Sequence, residues 1–504
     1  MSQPKAPPKN ENKGKELEAL LLSIQRDPKS AAAALPKLSK DELLSLFALF
    51  IDTDDETSSK NSNLRSSAYL ALSSFVGTVR HPSSTNEPEV QNVDPERQNE
   101  ATVTLARAFY PTVEDVLRGS NVSHIIATSA FLSALFQVDA PSASLIFTRE
   151  GNLECILDAI DLAQEIGRAT GKRQDGREQL ELALAVLLSH ATGQTECRKL
   201  LDGETSSLGG KVMSWLGRIA EASKDSRVKA SAALALVKFM QGRIQDTENA
   251  QSGIPAAAET SGITEITNSG VSSVDGLAAL LESIIITSTA TTEPSSTTGA
   301  PSPSPAVATN HKIVREAVEG LAYLSVHPSI REYITSQPKL LKALFAAGLQ
   351  STKKTKPSTS ISSSRLSEKD GIPITSPDDH RLNIGLHYGL ALTLANLCQY
   401  RPKLSKEEEQ IARLRRMTKP AAETSSGGVR TTMGAQDEGD DPRTSDPAVR
   451  TRVKKLCRAG MLPLLAGLAR SESRSARECT SRVYLYVVED QTNRGEVLKD
   501  GGGR

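Results

Sequence analysis

The sequence predicts an all-α fold in which helices stack beside one another to form a solenoid. The first observation is the period of the apolar residues, which recur every three or four positions, as at Leu180, Leu184 and Leu187. The second is that aromatic residues make up only 4% of the chain, so that Leu, Ala, Val and Ile must fill the core, as in helices packed on helices. The third is that the alternation of apolar and polar residues typical of strands is nearly absent.

Four blocks show the helical period most clearly. Each places its apolar residues on one face of a helix, because positions three and four apart are neighbours on the helix surface. The blocks are Leu180, Leu184, Leu187 and Leu188; Val228, Ala232, Leu236 and Phe239; Val314, Ala317, Leu321 and Leu324; and Leu390, Leu394 and Leu397. Asp225 precedes the second block and is predicted to cap its helix.

A larger pattern is superimposed on these helices. Several of them end in a short polar turn, after which come an Arg-containing helix, a glycine and a further apolar helix. Residues 456–460 lead in this way into Leu462 and Leu465, and Leu324 is followed by Arg331. Armadillo and HEAT units have this pattern, since each pair or triplet of helices buries its apolar face only by stacking on the next one. We therefore predict an armadillo/HEAT-like right-handed solenoid with long disordered inserts.

Polar stretches rich in Pro, Ser, Thr and Gly interrupt the helical blocks. They contain too few apolar side chains to offset the entropy that ordering would cost, and we predict that they are disordered. The predicted organisation is a disordered polar tail at 1–15, a helical-repeat region at 16–352 with inserts at 81–100, 245–273 and 288–310, an insert at 353–379, helical repeats at 380–417, an insert at 418–447, and armadillo-like repeats at 448–504.

The charge and cysteine content argue against several classes of protein. The 60 Lys and Arg residues balance 60 Asp and Glu residues, which leaves no net attraction to nucleic acid or to an anionic membrane. The first residues show no secretory signal, and the best candidate for a membrane span, 277–286, is short and interrupted by Glu282. The 5 cysteines are too far apart for a disulfide framework or a zinc site. We therefore expect a cytoplasmic protein with reduced cysteines and with neither nucleic acid nor membrane among its partners.

No group of residues has the spacing of a catalytic or metal site. The sequence contains no HExxH, no CxxC pair and no Gly-x-Ser-x-Gly turn. Residues 203–212 resemble a phosphate-binding loop, but the second glycine is displaced, Val212 follows Lys211, and no strand precedes them. We expect no catalytic residue, no cofactor, no metal ion and no small-molecule substrate, and therefore a protein that is not an enzyme.

A family signature lies in the second half of the chain. Residues 387–419 read HYGLALTLANLCQYRPKLSKEEEQIARLRRMTK. They resemble the fungal branch of the UCS family of myosin chaperones at Tyr388, Gly389, Asn396, Leu397, Tyr400, Arg401 and Pro402. A second stretch, 449–504, resembles the family at Lys454, Lys455, Gly460, Asn493, Arg494 and Gly501, whereas residues from about 16 to 350 resemble it only in their helical pattern. We interpret the signature residues as structural, fixing helix packing and the turns between helices.

The resemblance implies an armadillo-repeat protein of the cytosol. UCS proteins help myosin motor domains to fold and keep them from aggregating, which supports actomyosin-dependent processes. Animal members add an N-terminal tetratricopeptide domain that engages Hsp90, whereas fungal members start with a short polar tail, as this chain does. The expected partners are a myosin motor domain and, as for a co-chaperone, Hsp90. The alternative is a generic armadillo-repeat scaffold that joins folded proteins without chaperone activity.

The last residues of the chain bear on its completeness. The stretch from Gly501 to Arg504 matches the family where its central region passes into the UCS domain. We therefore expect a truncated gene model, a fragment or a shortened isoform that ends before most of that domain. Because the family grips the motor with a groove of the UCS domain, we assign no myosin-contact residue.

Overall fold

Helices account for the regular structure of this protein wherever the structure describes it. The computed structural model describes residues 11–27, 30–51, 59–81, 95–168, 174–251, 273–290, 305–354, 377–401, 407, 410 and 441–499, and no strand occurs in these ranges. The helices are α1 Glu11–Arg26, α2 Ala31–Ala34, α3 Lys40–Ala48, α4 Ser59–Arg80, α5 Pro95–Leu117, α6 Val122–Val138, α7 Ala140–Phe147, α8 Asn152–Arg168, α9 Gln174–Ala191, α10 Thr195–Leu201, α11 Ser207–Ala222, α12 Ser226–Gln251, α13 Val274–Ala290, α14 Pro305–Leu324, α15 Pro328–Ser336, α16 Pro338–Lys354, α17 Pro377–Cys398, α18 Asp446–Arg458, α19 Met461–Leu468, α20 Arg474–Glu489 and α21 Arg494–Lys499. Three short 3₁₀ turns, Leu35–Lys37, Pro442–Thr444 and Gln491–Asn493, complete them. The predicted all-α class is confirmed.

The chain forms two compact units. Of the described residues, the first unit holds those of 11–251, 273–290, 305–320 and 377–382, and the second holds those of 321–354 and 383–499. Helix α14 therefore belongs to the first unit up to Gly320 and to the second from Leu321 onward.

In the first unit, α3, α6, α9 and α12 pack side by side in that order, with α8 against α9 and α11 against α12. The predicted apolar stripes form this core, since Leu184 and Leu187 are fully buried on α9, as is Val228 on α12. Asp225 caps α12 as predicted, because its Oδ1 accepts a hydrogen bond from the backbone N–H of Arg227 at 2.8 Å. The helix triplets α7–α8–α9 and α10–α11–α12 are armadillo-like units.

The second unit repeats this arrangement. Helices α15, α16 and α17 form one triplet and α18, α19 and α20 the next, with α15 packed on α16 and α18, and α16 packed on α19. Leu390, Leu394 and Leu397 are buried on α17, as the helical period predicts. The prediction of an armadillo-like helical solenoid is confirmed.

A recurring hydrogen bond closes the polar turns between helices. A side-chain nitrogen of Asn or Arg near the start of one helix donates to the backbone carbonyl six residues earlier, at the end of the preceding helix, where carbonyls lack helical partners. The described residues contain six instances: Asn152 to Ile146 at 2.6 Å, Arg198 to Thr192 at 3.1 Å, Arg331 to Ser325 at 3.0 Å, Arg477 to Ser471 at 2.6 Å, Asn493 to Val487 at 3.2 Å and Arg494 to Val488 at 2.9 Å. This bond explains why the sequence repeats a polar turn followed by an Arg-containing helix.

The glycine of the repeated pattern has a conformational cause. Gly151 and Gly460 have φ angles of +88° and +96°, in the left-handed region that side chains with a Cβ rarely adopt. Gly460 stands at the amino end of α19, and Gly151 directly precedes α8. Both glycines let one helix end and the next begin within a few residues.

Helices extend into the tail and inserts that the sequence predicts. Residues 11–15 begin α1, 95–100 begin α5, 245–251 end α12, 288–290 end α13, 305–310 begin α14, 353–354 end α16, 377–379 begin α17 and 446–447 begin α18. A long-range ion pair explains the longest extension, because the Asp246 carboxylate accepts bonds from Arg198 Nε at 2.9 Å and Nη2 at 2.8 Å. Pro95 suits a helix start, where its missing N–H removes no helical bond. The other residues of the tail and inserts lie almost entirely outside the described residues.

None of the helices in the described ranges is long and apolar enough to cross a lipid bilayer.

Candidate functional site

Helix α17 presents a tyrosine to solvent from an otherwise buried surface. Leu386 and Leu390 are each only 2% exposed, whereas Tyr388 is 41% exposed. Tyr388 lies two positions from each leucine and so falls outside the apolar stripe of the helix. Tyr388 therefore exposes a large aromatic ring to solvent, whereas the two leucines beside it on the helix are buried.

Tyr323, Glu478 and Arg482, from two other helices, lie close enough to Tyr388 to act on its phenol. Tyr323, at the end of α14, is 37% exposed. On α20, Glu478, Arg482 and Leu485 follow one another at helical spacing and share one face, and Leu485 is 66% exposed. We call Tyr323, Tyr388, Glu478, Arg482 and Leu485 the tyrosine face.

The exposure of these two rings is unusual for this chain. All 9 phenylalanines and Trp215 are buried, and the other described tyrosines are less exposed than Tyr323 and Tyr388. Two exposed rings on adjacent helices, with an exposed leucine nearby, form a surface suited to protein contacts, where tyrosine is enriched among the residues that carry binding energy.

The surroundings of Tyr388 keep its phenol protonated. Partial burial is the main cause that raises the pKa of this phenol, nearby Cys479 and Tyr323 raise the pKa further, and Arg482 opposes them. The Glu478 carboxylate accepts a hydrogen bond from Arg482 at 2.8 Å, which places a solvated ion pair at the edge of the face. A neutral phenol can pack its ring against an apolar group and still donate a hydrogen bond.

Beneath the face, a buried histidine joins three elements. His387 is 3% exposed, and its Nε2 and Nδ1 lie 3.0 Å from the hydroxyls of Ser351 on α16 and Ser471 between α19 and α20. Burial lowers the pKa of His387 below its ordinary value. The imidazole is therefore neutral in the folded protein at physiological pH, and it fixes α17 against both neighbours.

His387 makes the stability of the second unit depend on pH. Because the folded-state pKa lies below the unfolded-state value of about 6.5, the stabilisation is complete above that pH and is lost as the pH falls towards the folded-state pKa. We expect the decrease in thermal midpoint between pH 7.5 and pH 5 to be smaller in a His387→Gln variant than in the unchanged chain. Thermal unfolding followed by circular dichroism at both pH values measures this, and an equal decrease in the two proteins would contradict the assignment.

The signature residues at the end of α17 contact the chain itself. Asn396 Nδ2 donates to Ser325 Oγ at 2.9 Å and to the Ala322 carbonyl at 3.3 Å. Arg401 donates from Nε to Thr444 Oγ1 at 2.7 Å and from Nη2 to the Asp441 carbonyl at 2.7 Å. These bonds join α17 to the end of α14 and to the turn that precedes α18.

The other signature residues on α17 and beyond it are spread over several surroundings. Gly389 and Leu397 are buried in the core. The Tyr400 ring centroid lies 6.1 Å from that of Tyr486, and burial raises the pKa of the Tyr400 phenol while Arg450 opposes this. Pro402 lies outside the described residues.

The signature residues of the last repeats do not come together in one site. Lys454 and Lys455 are exposed on α18, and Lys454 Nζ lies 3.4 Å from Asp490 Oδ2. Gly460 and Asn493 occupy the turns already described, and Arg494 Nε donates to the Val488 carbonyl at 2.9 Å. Gly501 lies outside the described residues. Of all the signature residues, the tyrosine face includes Tyr388 alone.

Sequence reasoning missed Tyr323, Arg452 and the partners of His387. The signal for Tyr323 was its place outside the stripe formed by Leu321 and Leu324. Arg452, in contrast, stands inside an apolar stripe. Val449, Arg452, Val453 and Leu456 have the spacing of a single buried face, and one of these four residues is a cation. Nothing in the sequence indicates the serines that bond His387, because they come from distant parts of the chain.

No catalytic arrangement emerges from the described residues. They contain no group of three or more His, Cys, Asp or Glu side chains placed to hold a metal ion. No disulfide joins the five cysteines, all of which are described. Burial raises the pKa of the Cys197 thiol to about 12 and that of Cys398 further still, so these thiols stay protonated and unreactive.

Comparisons with solved structures return UNC-45 and She4p among their matches. A structure of the UNC-45 chaperone, studied for the features critical to binding and folding muscle myosin, is 16% identical, with a TM-score of 0.47, and the match covers 92% of this chain and 35% of that one. UNC-45 from Drosophila melanogaster is 16% identical, with a TM-score of 0.45 and coverage of 99% and 52%. She4p is 13% identical, with a TM-score of 0.43 and coverage of 98% and 55%. The chain thus spans between about a third and about half of the length of these proteins.

The family comparison matches the part of the chain in which the sequence showed only a helical pattern. The model of the UNC45-central family, the myosin-binding striated muscle assembly central domain, matches residues 15–278. The match covers more than half of the chain and ends before the signature at 387–419 begins. The resemblance to the UCS family is therefore confirmed, and the chain belongs to the UNC45-central family of myosin-binding proteins.

Proposed function

We propose that this chain is a non-enzymatic chaperone that binds myosin motor domains, assists their folding and prevents their aggregation. The observation that carries the proposal is the tyrosine face, on which the chain exposes Tyr323 and Tyr388 side by side while it buries every phenylalanine and its tryptophan. Membership of a family named for myosin binding supports the choice of client.

The proposed mechanism is passive holding. Apolar segments of a partly folded motor pack against the two rings and Leu485, which removes them from water and from one another. The Tyr388 hydroxyl donates a hydrogen bond to the client backbone, and the pair of Glu478 and Arg482 forms a polar rim. Binding lowers the concentration of the aggregation-prone species by mass action, so the mechanism requires no nucleotide.

The proposal includes a cytosolic location and cooperation with Hsp90. UNC-45 from C. elegans forms a complex with a Hsp90 peptide. We propose that Hsp90 receives the client from this chain, in support of actomyosin-dependent processes.

Replacing both exposed tyrosines is expected to abolish most client protection. A Tyr323→Ala/Tyr388→Ala variant loses two aromatic anchors, and truncating one such anchor typically costs about 2 kcal/mol or more of binding energy. We therefore expect at least about a tenfold loss of affinity for a heat-destabilised myosin motor domain. Light scattering of the heated motor at equimolar chaperone, together with the affinity of the labelled motor, measures the effect.

A matched control separates this face from exposed apolar surface in general. Leu70 and Leu145 in the first unit are 39% and 42% exposed, and a Leu70→Ala/Leu145→Ala variant should protect the motor as the unchanged chain does. If both variants lost the same amount of protection of the motor, the tyrosine face would not be the client-binding surface. Binding to the native motor alone, without suppression of aggregation, would instead favour the alternative of an armadillo-repeat scaffold.

A further inference from the structure

The first unit has a cleft of its own, between helices α4 and α6 at the point where both helices end. The cleft has a volume of about 440 Å³, and its lining includes Tyr69, Val76, Gly77, Arg80 and Val138. None of the described residues that line it is Asp or Glu. A space of this size can enclose a large side chain of a partner.

An open floor and apolar walls shape the cleft. A Cβ atom at Gly77 would meet no atom of the described residues within 4 Å, so this glycine leaves the space beside α4 open. Val76 and Val138 supply aliphatic surface next to it. The half-buried ring of Tyr69 forms an aromatic wall, and the ring of Phe50 holds it in place nearly at a right angle, with a centroid distance of 5.0 Å.

The Arg80 guanidinium is fixed and its charge is balanced. Its Nε donates to Asp139 Oδ1 at 2.6 Å, and its Nη2 donates to Asp139 Oδ2 at 2.8 Å and to Thr102 Oγ1 at 3.2 Å. Such a bidentate pair sets the plane of the guanidinium. Because Asp139 occupies one edge of the group, Arg80 can still offer a partner its flat face, and guanidinium faces stack on aromatic rings.

We propose that this cleft binds one aromatic side chain of a partner polypeptide, whose ring enters over Gly77 and packs against Tyr69, the two valines and the guanidinium of Arg80. A cationic side chain would find no carboxylate among the described lining residues, and an anionic one would find the charge of Arg80 already balanced by Asp139. A neutral ring faces neither problem. Its contacts with the Tyr69 ring and the guanidinium also favour it over an aliphatic side chain of similar size.

Blocked amino acids test the proposal on the full chain. The probes are the N-acetyl amides of tyrosine, leucine and glutamate, with adenosine as a ring that is not a side chain, and NMR of the Val76 and Val138 methyl groups reports their binding. We expect the tyrosine probe to bind with a Kd on the order of 1 mM, about tenfold more tightly than the leucine probe. Equal affinity for these two probes, or tighter binding of the glutamate probe or of adenosine, would overturn the proposal.

A pair of glycine variants localises the binding. Gly77→Leu fills the cleft and should weaken the tyrosine probe at least about tenfold, while α4 is not weakened because leucine forms helices better than glycine. Gly176→Leu is the control, since Gly176 lies on α9 and a Cβ there also meets no atom of the described residues within 4 Å. Equal weakening in the two variants would refute the site.

A charge-conserving variant tests the stacking on Arg80. Arg80→Lys keeps the positive charge opposite Asp139 but loses the flat face. The preference for the tyrosine probe over the leucine probe should therefore fall by about threefold, whereas the affinity for the leucine probe should change little. An unchanged preference would contradict the proposed contact between the ring and the guanidinium.

Discussion

Replacing Arg452 with alanine is expected to lower the free energy of unfolding of the second unit by about 3 to 5 kcal/mol. Arg452 is fully buried on α18. Its Nε donates to the Leu397 carbonyl at 3.1 Å, and its Nη1 donates to the Arg443 carbonyl at 2.5 Å and to Glu332 Oε1 at 2.6 Å. One guanidinium thus holds the end of α17, the turn before α18 and helix α15 together.

The loss arises mainly from the groups that alanine leaves behind. Two backbone carbonyls lose their donor, at a cost of about 1 to 3 kcal/mol for each buried group left unsatisfied. The Glu332 side chain is 36% exposed and can be hydrated. The cavity that alanine leaves lowers the free energy of unfolding further, because the surrounding helices relax into it only partly.

A methionine at the same position separates charge from packing. Arg452 Nη2 has no hydrogen-bond partner among the described residues, so the guanidinium is itself imperfectly satisfied. Arg452→Met fills most of the space, and we expect it to cost less than alanine, as is common when an apolar side chain replaces a buried ion pair. Urea unfolding followed by circular dichroism gives the free energies, and amide hydrogen exchange shows whether α15, α17 and α18 open. Lys455→Ala, at an exposed position of the same helix, is the control; a loss at Arg452 no larger than at Lys455 would refute the argument.

The sequence was sufficient for the helices and their repetition because both depend on local patterns. Apolar residues at helical spacing identify the buried faces of α9, α12, α14 and α17, and a polar turn with Arg and Gly identifies the repeats. The ends of helices were less predictable, because contacts far along the chain extend them. Asp246 was assigned to an insert, but it lies on α12, where it pairs with Arg198 of α10.

The candidate site was predictable only in part. Tyr388 belongs to the family signature, yet its pairing with Tyr323 depends on the packing of α17 beside the end of α14, and the two tyrosines are separated along the chain by two helices and an insert. The partners of Arg452 show the same limit, since Glu332 precedes it by 120 residues. The period of a helix shows which side chains face inward or outward, but not which distant side chains they meet.

Replacing Phe131 with alanine is expected to lower the free energy of unfolding of the first unit by about 3 to 5 kcal/mol. Phe131 is fully buried on α6. Its ring stacks on Phe47 of α3 with a centroid distance of 4.0 Å and lies 4.9 Å from Phe109 of α5 and 5.8 Å from Phe50. The substitution removes the central ring of a cluster that joins three helices.

Trp215 offers a direct readout of this change. It is the only tryptophan of the chain and is buried on α11 of the same unit, so its fluorescence during urea unfolding reports on the first unit alone. Phe131→Leu retains most of the apolar volume and should cost less than about 1.5 kcal/mol. A similarly small loss for alanine would mean that α3, α5 and α6 close over the missing ring, so that aliphatic contacts set their spacing. A loss of the full amount for alanine, about 3 to 5 kcal/mol, would mean that the aromatic cluster sets the spacing of these helices. That result would explain why a chain so poor in aromatic residues places several of them here.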